Sequence, residues 1–520
     1  MLVVQNWSLT GLSLALLLFS YGCTTISPRD IALPPAPKLA IPSGILTTDE
    51  SVKIFVDGQL GQESCSDYDP DTRSCGSGDN KAFRALNRAS TAARPGDEVL
   101  VRQGVIRKQF KPATSGVEGR PIRYHPYTGE QVVFTGIQSP AWFLLDRHYL
   151  VIEGFHVEEV IGWGRLENAH YNEIRNNIFK QAQARGTTGG LKLTGSHYNR
   201  IENNRFERGN DSLVIQASDR NLIAGNSFEW GRHSLLSLRC GNFNVIRENT
   251  FHNERQKSME VYDCEAVSDA PYRLDATKRN LIEHNRFIHA RASGQSHRYN
   301  AIQYAGQFGI VRHNLFRDNL GGGINLAVYA DEALHNYGHR IYNNTFFENR
   351  CFALIDRGRG GVKVGGHAVL NNLLYKNRDC RGGEQQVNFP WGTIDKDLNA
   401  MAKKDPGFVS VADGDFRLKP DSPWVDRGSF LTRIRTGGQG KTLPLEDVAF
   451  FFDGAGVPDV NGDLIQLEGE QQVARVLKVD FSTQSLLLDT PLVWQEGQGV
   501  SLLFGGASPD MGAYGAETQR

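Results

Sequence analysis

The sequence predicts an all-β chain: a right-handed parallel β-helix solenoid with an N-terminal cap and a small C-terminal β insertion. Three observations predict it. An Asn-x-Phe unit recurs at intervals just above twenty residues. Short runs between the copies alternate in hydrophobicity with period two. The composition is rich in glycine (55) and poor in methionine (4), which suits turns more than helices.

The repeat carries most of the weight. Its asparagines are Asn177, Asn204, Asn226, Asn249, Asn285, Asn314, Asn344 and a degenerate Asn372, giving steps of 27, 22, 23, 36, 29, 30 and 28. Three short strands and three turns fill 22–23 residues, so one step is one coil. Coils stack at about 4.8 Å. Identical carboxamides at one turn can then hydrogen-bond along the axis, and the phenylalanines two residues later stack inside. Both columns are scaffold. Strands such as Leu191-Lys192-Leu193, Leu213-Val214-Ile215, Met259-Glu260-Val261 and Ile324-Asn325-Leu326 supply alternate inward side chains.

The ends read differently. Residues 1–23 resemble a lipoprotein-type export signal, with an apolar run from Leu12 to Phe19 and then Ser20-Tyr21-Gly22-Cys23, which makes Cys23 the expected lipidation site. Residues 24–48 are rich in Pro, Ser and Thr and read as a flexible tether. The solenoid with its N-terminal cap is expected over 49–435, with a helix from Asn80 to Ala93 closing the open core and 405–428 forming the last coils. A small β subdomain and C-terminal cap is expected over 436–520. Localisation follows as exported: an outer-membrane lipoprotein, or the periplasm or cell surface.

Charge and cysteines narrow the class further. A net charge of −1 gives no field that would draw nucleic acid, and membrane contact is expected only through the lipid anchor. Without Cys23, six cysteines remain, an even number that suits an oxidising compartment. Neighbour pairing (Cys65–Cys75, Cys240–Cys264, Cys351–Cys380) is favoured among the alternatives because the last two pairs would each join successive coils.

The longest steps locate insertions at 263–278, 290–299 and 327–339, all bordering one strand column. Its outward positions include Lys192, Gln216, Arg239, Glu260, Tyr262, Gln303 and Asn325, with His233 and Asp263 at the flanking turns. Such a strip of cation, carboxylate, phenol and amide suits a polysaccharide, with Arg or Lys for a uronate carboxylate. Arg239, Tyr262, Lys192 and His233 are the candidate catalytic residues. Glu260, Gln216, Gln303, Asn325 and Asp263 are the candidate substrate contacts. The bland alternative for Arg239 and Glu260 is an ion pair across an exposed sheet.

The Gly96–Val101 strand with Gly119-Arg-Pro-Ile, the Asn-x-Phe coils, and Asp421-Ser-Pro-Trp-Val-Asp with Asp510-Met-Gly-Ala-Tyr resemble the pectate-lyase-like right-handed β-helix superfamily of bacteria. The resemblance implies a carbohydrate-active protein, a polysaccharide lyase or glycoside hydrolase, with a non-catalytic glycan-binding or structural envelope lipoprotein as the alternative. Leu236-Ser-Leu-Arg239-Cys-Gly-Asn242 is similar to the arginine coil of the alginate lyase and chondroitinase B family (polysaccharide lyase family six). That family's lysine would fall at 216–218, where this chain has Gln-Ala-Ser. Lys192 lies a coil further back, and Lys257 lies on the wrong side, after the arginine coil and not before it. No cofactor or metal is expected, one oxygen-ligated calcium being the exception left open. The sequence fixes neither the sugar nor an oligomeric state.

Overall fold

The computed structural model describes residues 51–184, 189–253, 256–262, 277–290, 300–327, 336–357, 365–389 and 394–516. Cys23, the tether and most of the three insertions lie outside them, as do Asp263 and Cys264. All described residues fall in one compact unit, Ala40–Arg520.

The chain winds through three columns of parallel strands. The first runs from Lys53–Val56 through Glu98–Val101, Ile122–Pro126, Leu150–Glu153, Arg200–Glu202, Ile310–Arg312 and His367–Tyr375 to Ile394–Ala402. The second runs from Gly104–Ile106 through Val132–Phe134, His156–Glu158, Arg205–Glu207, Thr250–His252 and Thr345–Phe347 to the end of His367–Tyr375. The third is a ten-strand sheet from Pro140–Leu145 to Val387–Asn388. It includes Leu191–Thr194, Leu213–Gln216, Ser234–Arg239, Lys257–Tyr262, Ile302–Tyr304 and Ile324–Ala327. The expected fold class is borne out.

One residue makes the sharp turn between the first and second columns. Asn176, Asn203, Glu248, His284, His313, Asn343 and Asn371 all take φ of 51 to 58°, and Gly225 takes 65°. This left-handed conformation strains most side chains, and asparagine tolerates it better than most. The next residue is the repeat asparagine. Its Nδ2 donates to Oδ1 of the following coil at 2.7–3.1 Å, unbroken from Asn177 to Asn399. From Asn177 to Asn372 these carboxamides are buried, so each unmade bond would cost the full desolvation of an amide. A second ladder joins Asn172, Asn199, Asn221, Asn244 and Asn280. Inside, the phenylalanines from Phe179 to Phe346 stack with centroids 4.6–4.9 Å apart.

A third column of polar contacts lies at the turn after the third strand column. The backbone N–H of His170 donates to Nδ1 of His148 (3.1 Å), that of His197 to His170 (3.0 Å), and that of Asp219 to His197 (3.0 Å). Asn242 and Lys278 continue it on Asp219 and Asn242. A ring accepting at Nδ1 must be neutral. Burial, with help from His197 and His148, pushes the pKa of His170 down to about 3.

The ends depart from expectation. The helix covers only Leu86–Ala92, because Asn80–Phe83 is a strand paired with Lys53–Val56 and Ser64–Asp69. The last coil is Ile394–Ala402, parallel to His367–Tyr375. Residues 405–428 are therefore not coils: Phe408–Ser410 and Asp415–Leu418 form an antiparallel hairpin. Thr432–Leu502 contains a six-stranded antiparallel sheet. Its lobe docks on the first column through Arg312 to Asp463 (2.6 Å), Arg340 to Asp447 (2.8 Å) and the Tyr342 hydroxyl donating to the Phe450 carbonyl (2.7 Å). Cys65–Cys75 and Cys351–Cys380 are disulfides. Cys240 is also disulfide-bonded.

Two outcomes follow. Asn226→Leu strips the ladder bonds to Asn204, Asn249 and the Ile201 carbonyl, so denaturant unfolding should show a loss of about 2–4 kcal/mol, with about 1 kcal/mol per bond. For His170, the unfolded ring takes up a proton near 6.5 and the folded ring only near 3. Stability therefore falls as the pH drops through that window. His170→Asn, which installs the amide that Asn242 already supplies, should flatten the fall in denaturant midpoints measured across it.

Candidate active site

The third column presents two outward files. Lys192, Val214, Ser237, Glu260, Gln303 and Asn325 are successive partners in one. Thr194, Gln216, Arg239 and Tyr262 form the other. Period-two alternation fixes this, because Leu236, Leu238, Met259 and Val261 point into the core.

The charged groups gather at three successive coils. Asp211, in the turn before Leu213–Gln216, accepts from His233 Nδ1 at 2.7 Å and from the Ser234 backbone N–H at 3.2 Å. His233 Nε2 lies 3.4 Å from Glu260 Oε1. Arg239 donates from Nε to Ser237 Oγ (2.8 Å) and places Nη2 3.5 Å from Asp211 Oδ2 and 3.9 Å from Glu260 Oε2. Its guanidinium sits 5.2 Å from the centre of the Tyr262 ring. Lys257 ion-pairs with Glu260 and donates to Gln303 Oε1 at 2.9 Å.

Burial sorts these groups into two layers. The side chains of Glu260 (0% exposed), Asp211 and Lys257 lie beneath the surface, whereas His233 (38%) and Arg239 (22%) reach solvent. The picture of Arg239 and Glu260 as an ion pair on an exposed sheet therefore fails for the carboxylate. Glu260 is covered and has three cationic or protonatable neighbours. Burial lowers the Lys257 pKa to about 8, with Asp211 opposing and Arg239 reinforcing the shift. Burial raises the Tyr262 hydroxyl to about 12, against the pull of Arg239.

Of the expected site residues, Arg239, Tyr262, His233, Glu260 and Gln303 come together. Gln216 is a buried cross-strand neighbour of Arg239, and Asn325 is the next partner of Gln303. Lys192 takes the file of Glu260, two coils before Ser237, and not that of Arg239. Lys257 stands on the coil after Arg239, on the wrong side for the family's lysine, yet its side chain reaches the centre of the cluster. Asp211 was missed. Its signal was the coil step: it stands 22 residues before His233, as Asn204 stands 22 before Asn226. Among the described residues, the one cluster with metal-ligand spacing is Cys65, Asp67 and Cys75, whose cysteines are already bonded to each other.

The winding and its ladders define a right-handed parallel β-helix protein. A family model described as right handed beta helix region matches residues 146–269, which contain most of the cluster. The uncharacterized protein YwoF of Bacillus subtilis (strain 168) is 26% identical over 129 residues, covering 23% of this chain and 28% of that protein. The match thus spans little more than a quarter of that relative. Pectate lyase Pel9A is similar over 75% of this chain and 94% of its own, at 16% identity and a TM-score of 0.43. The family-six alginate lyase AlyGC covers 62% and 53% (17%, 0.39). The lacto-N-biosidase from Eubacterium ramulus covers 66% and 68% (13%, 0.41). At these scores and identities the likenesses do not assign an activity.

The buried pair gives a direct test. Glu260→Gln removes the buried carboxylate that Lys257 pairs with, which should cost about 3–5 kcal/mol. Adding Lys257→Met should recover most of that loss in denaturant unfolding, a non-additivity that a surface pair would not show.

Proposed function

We propose that the protein is an exported carbohydrate-active enzyme that cleaves an acidic polysaccharide by β-elimination on the third column. One observation carries the reading. A solvent-reaching histidine is held by a buried carboxylate beside a solvent-reaching arginine and a protonated phenol. Arg239 would pair with a uronate carboxylate and stabilise the charge that develops when the neighbouring proton leaves. Asp211 accepts from Nδ1 of His233, which leaves Nε2 as the proton acceptor. Buried Glu260, 3.4 Å from Nε2, would stabilise the imidazolium so formed. His233 takes the C5 proton, the C4–C5 double bond forms, and the C4–oxygen bond breaks. Tyr262, kept protonated by its raised pKa, supplies the proton to the departing oxygen.

Incubation with alginate, pectate and chondroitin tests this through the ultraviolet band of an unsaturated uronate. The absorbance should rise on one of them. His233→Ala should slow the rise about 10²–10⁴-fold, the usual share of an acid–base group, and Arg239→Ala should slow it comparably. Retention on an immobilised glycan with no product would instead favour a glycan-binding envelope protein. New reducing ends without the band would indicate hydrolysis.

A further inference from the structure

Beside the third column, at the turn that enters it, lies a groove of about 710 Å³. Trp230, Arg208, Arg232, Gln181, Gln183 and Glu159 line it. Trp230 is 43% exposed, whereas most other large aromatic side chains among the described residues are buried. Its backbone is left-handed, with φ of 59°, as are those of Glu159, Gln181 and Arg208 on the preceding coils. That conformation turns each of these side chains outward at the same place on successive coils.

The two arginines are unlike their neighbours. On the same coils Arg175 is paired with Glu153, Arg200 with Glu202, and Arg205 with Glu207. Neither Arg208 nor Arg232 has an ion-pair or side-chain hydrogen-bond partner among the described residues, and both are exposed. Two guanidinium groups with no partner among the described residues, beside an exposed indole, form a recognisable combination. The indole face stacks on the apolar face of a pyranose, and guanidinium forks match a carboxylate or sulfate bidentately. The two glutamines supply amides for ring hydroxyls.

Position links the groove to the catalytic cluster. Arg232 precedes His233 directly. Trp230 lies three residues before His233, so their Cα atoms are at most about 11 Å apart. We propose that this groove is an anionic-sugar subsite. It holds a sugar residue next to the one being cleaved, stacked on Trp230, with its carboxylate or sulfate on Arg208 and Arg232. The proposal rests on the reading of the third column as the cleavage site, and it extends the substrate to a polymer charged on neighbouring residues.

Binding measured apart from cleavage tests it. The parent is His233→Ala, which removes the proton acceptor and leaves the groove lining whole. Calorimetric titrations use a hexameric alginate oligouronate, a chondroitin sulfate hexasaccharide and neutral cellohexaose. At least one anionic hexamer should bind the parent, and a preference between the first two probes separates carboxylate from sulfate recognition. Arg208→Gln with Arg232→Gln should weaken that binding at least tenfold and reduce its sensitivity to salt. Trp230→Ala should weaken it similarly, with Trp230→Phe recovering part. Cellohexaose should bind more weakly and be indifferent to the arginine changes. Equal affinity of the anionic hexamers for parent and variants, or no binding by either, overturns the subsite. The wild-type absorbance assay separates the two claims. Elimination with unaltered binding in the groove variants removes the subsite alone. Groove-dependent binding without elimination removes the lyase alone.

Discussion

The asparagine ladder is the constraint on which everything else rests. A parallel coil has no cross-strand turn to set its register. Each turn of the solenoid could in principle slip by two residues and keep its apolar side chains inside. The buried carboxamides prevent that. Each Nδ2 must meet the next Oδ1, and an unmet pair leaves two desolvated groups without partners. The phenylalanine stack reinforces the same register from within. Fixed register then turns sequence distance into spatial proximity. Asp211, His233 and Glu260 are far apart along the chain and adjacent on the wall.

The cluster shows how such a wall acquires chemistry. A solenoid face is flat, and on a flat face charges are hydrated and weak. Here the acidic groups and Lys257 sit beneath, while His233 and Arg239 emerge. The buried layer orients the exposed one. Asp211 fixes the histidine tautomer, and Glu260 is positioned to share the charge of whichever neighbour is protonated. The groove at Trp230 lies beside this layer, so a polymer lying across the wall would meet both.

Much of the fold was legible in the sequence, because the signals repeat. Asn177 to Asn372 could be read as one column, and alternation assigned Arg239, Glu260, Tyr262, Gln303 and Asn325 to the outer face. Single events were less legible. Asn80–Phe83 carries helix-compatible residues, yet it finds two strand partners and joins the cap sheet. The hairpin at Phe408–Leu418 replaces a coil because the solenoid has already ended at Ile394–Ala402. Within the site, an outward position is not always an exposed one. Nothing in the alternation says that Glu260 is covered. Lys257 lies one coil after Arg239, where the family resemblance offers no lysine, and Asp211 occupies a turn where periodicity gives no face. The histidine column from His148 to His197 repeats only three times before Asp219 and Asn242 take over its role, too few copies to stand out.

The contact between Asp211 and His233 tests the account most directly, because it joins adjacent coils and forms only in the proposed register. A double-mutant cycle with Asp211→Ala, His233→Ala and the pair, followed by denaturant unfolding, measures it. The account predicts a coupling of about 1.5–3 kcal/mol, the range for a hydrogen bond to a charged group. Additive single changes, with no coupling beyond error, would place these side chains apart and contradict it.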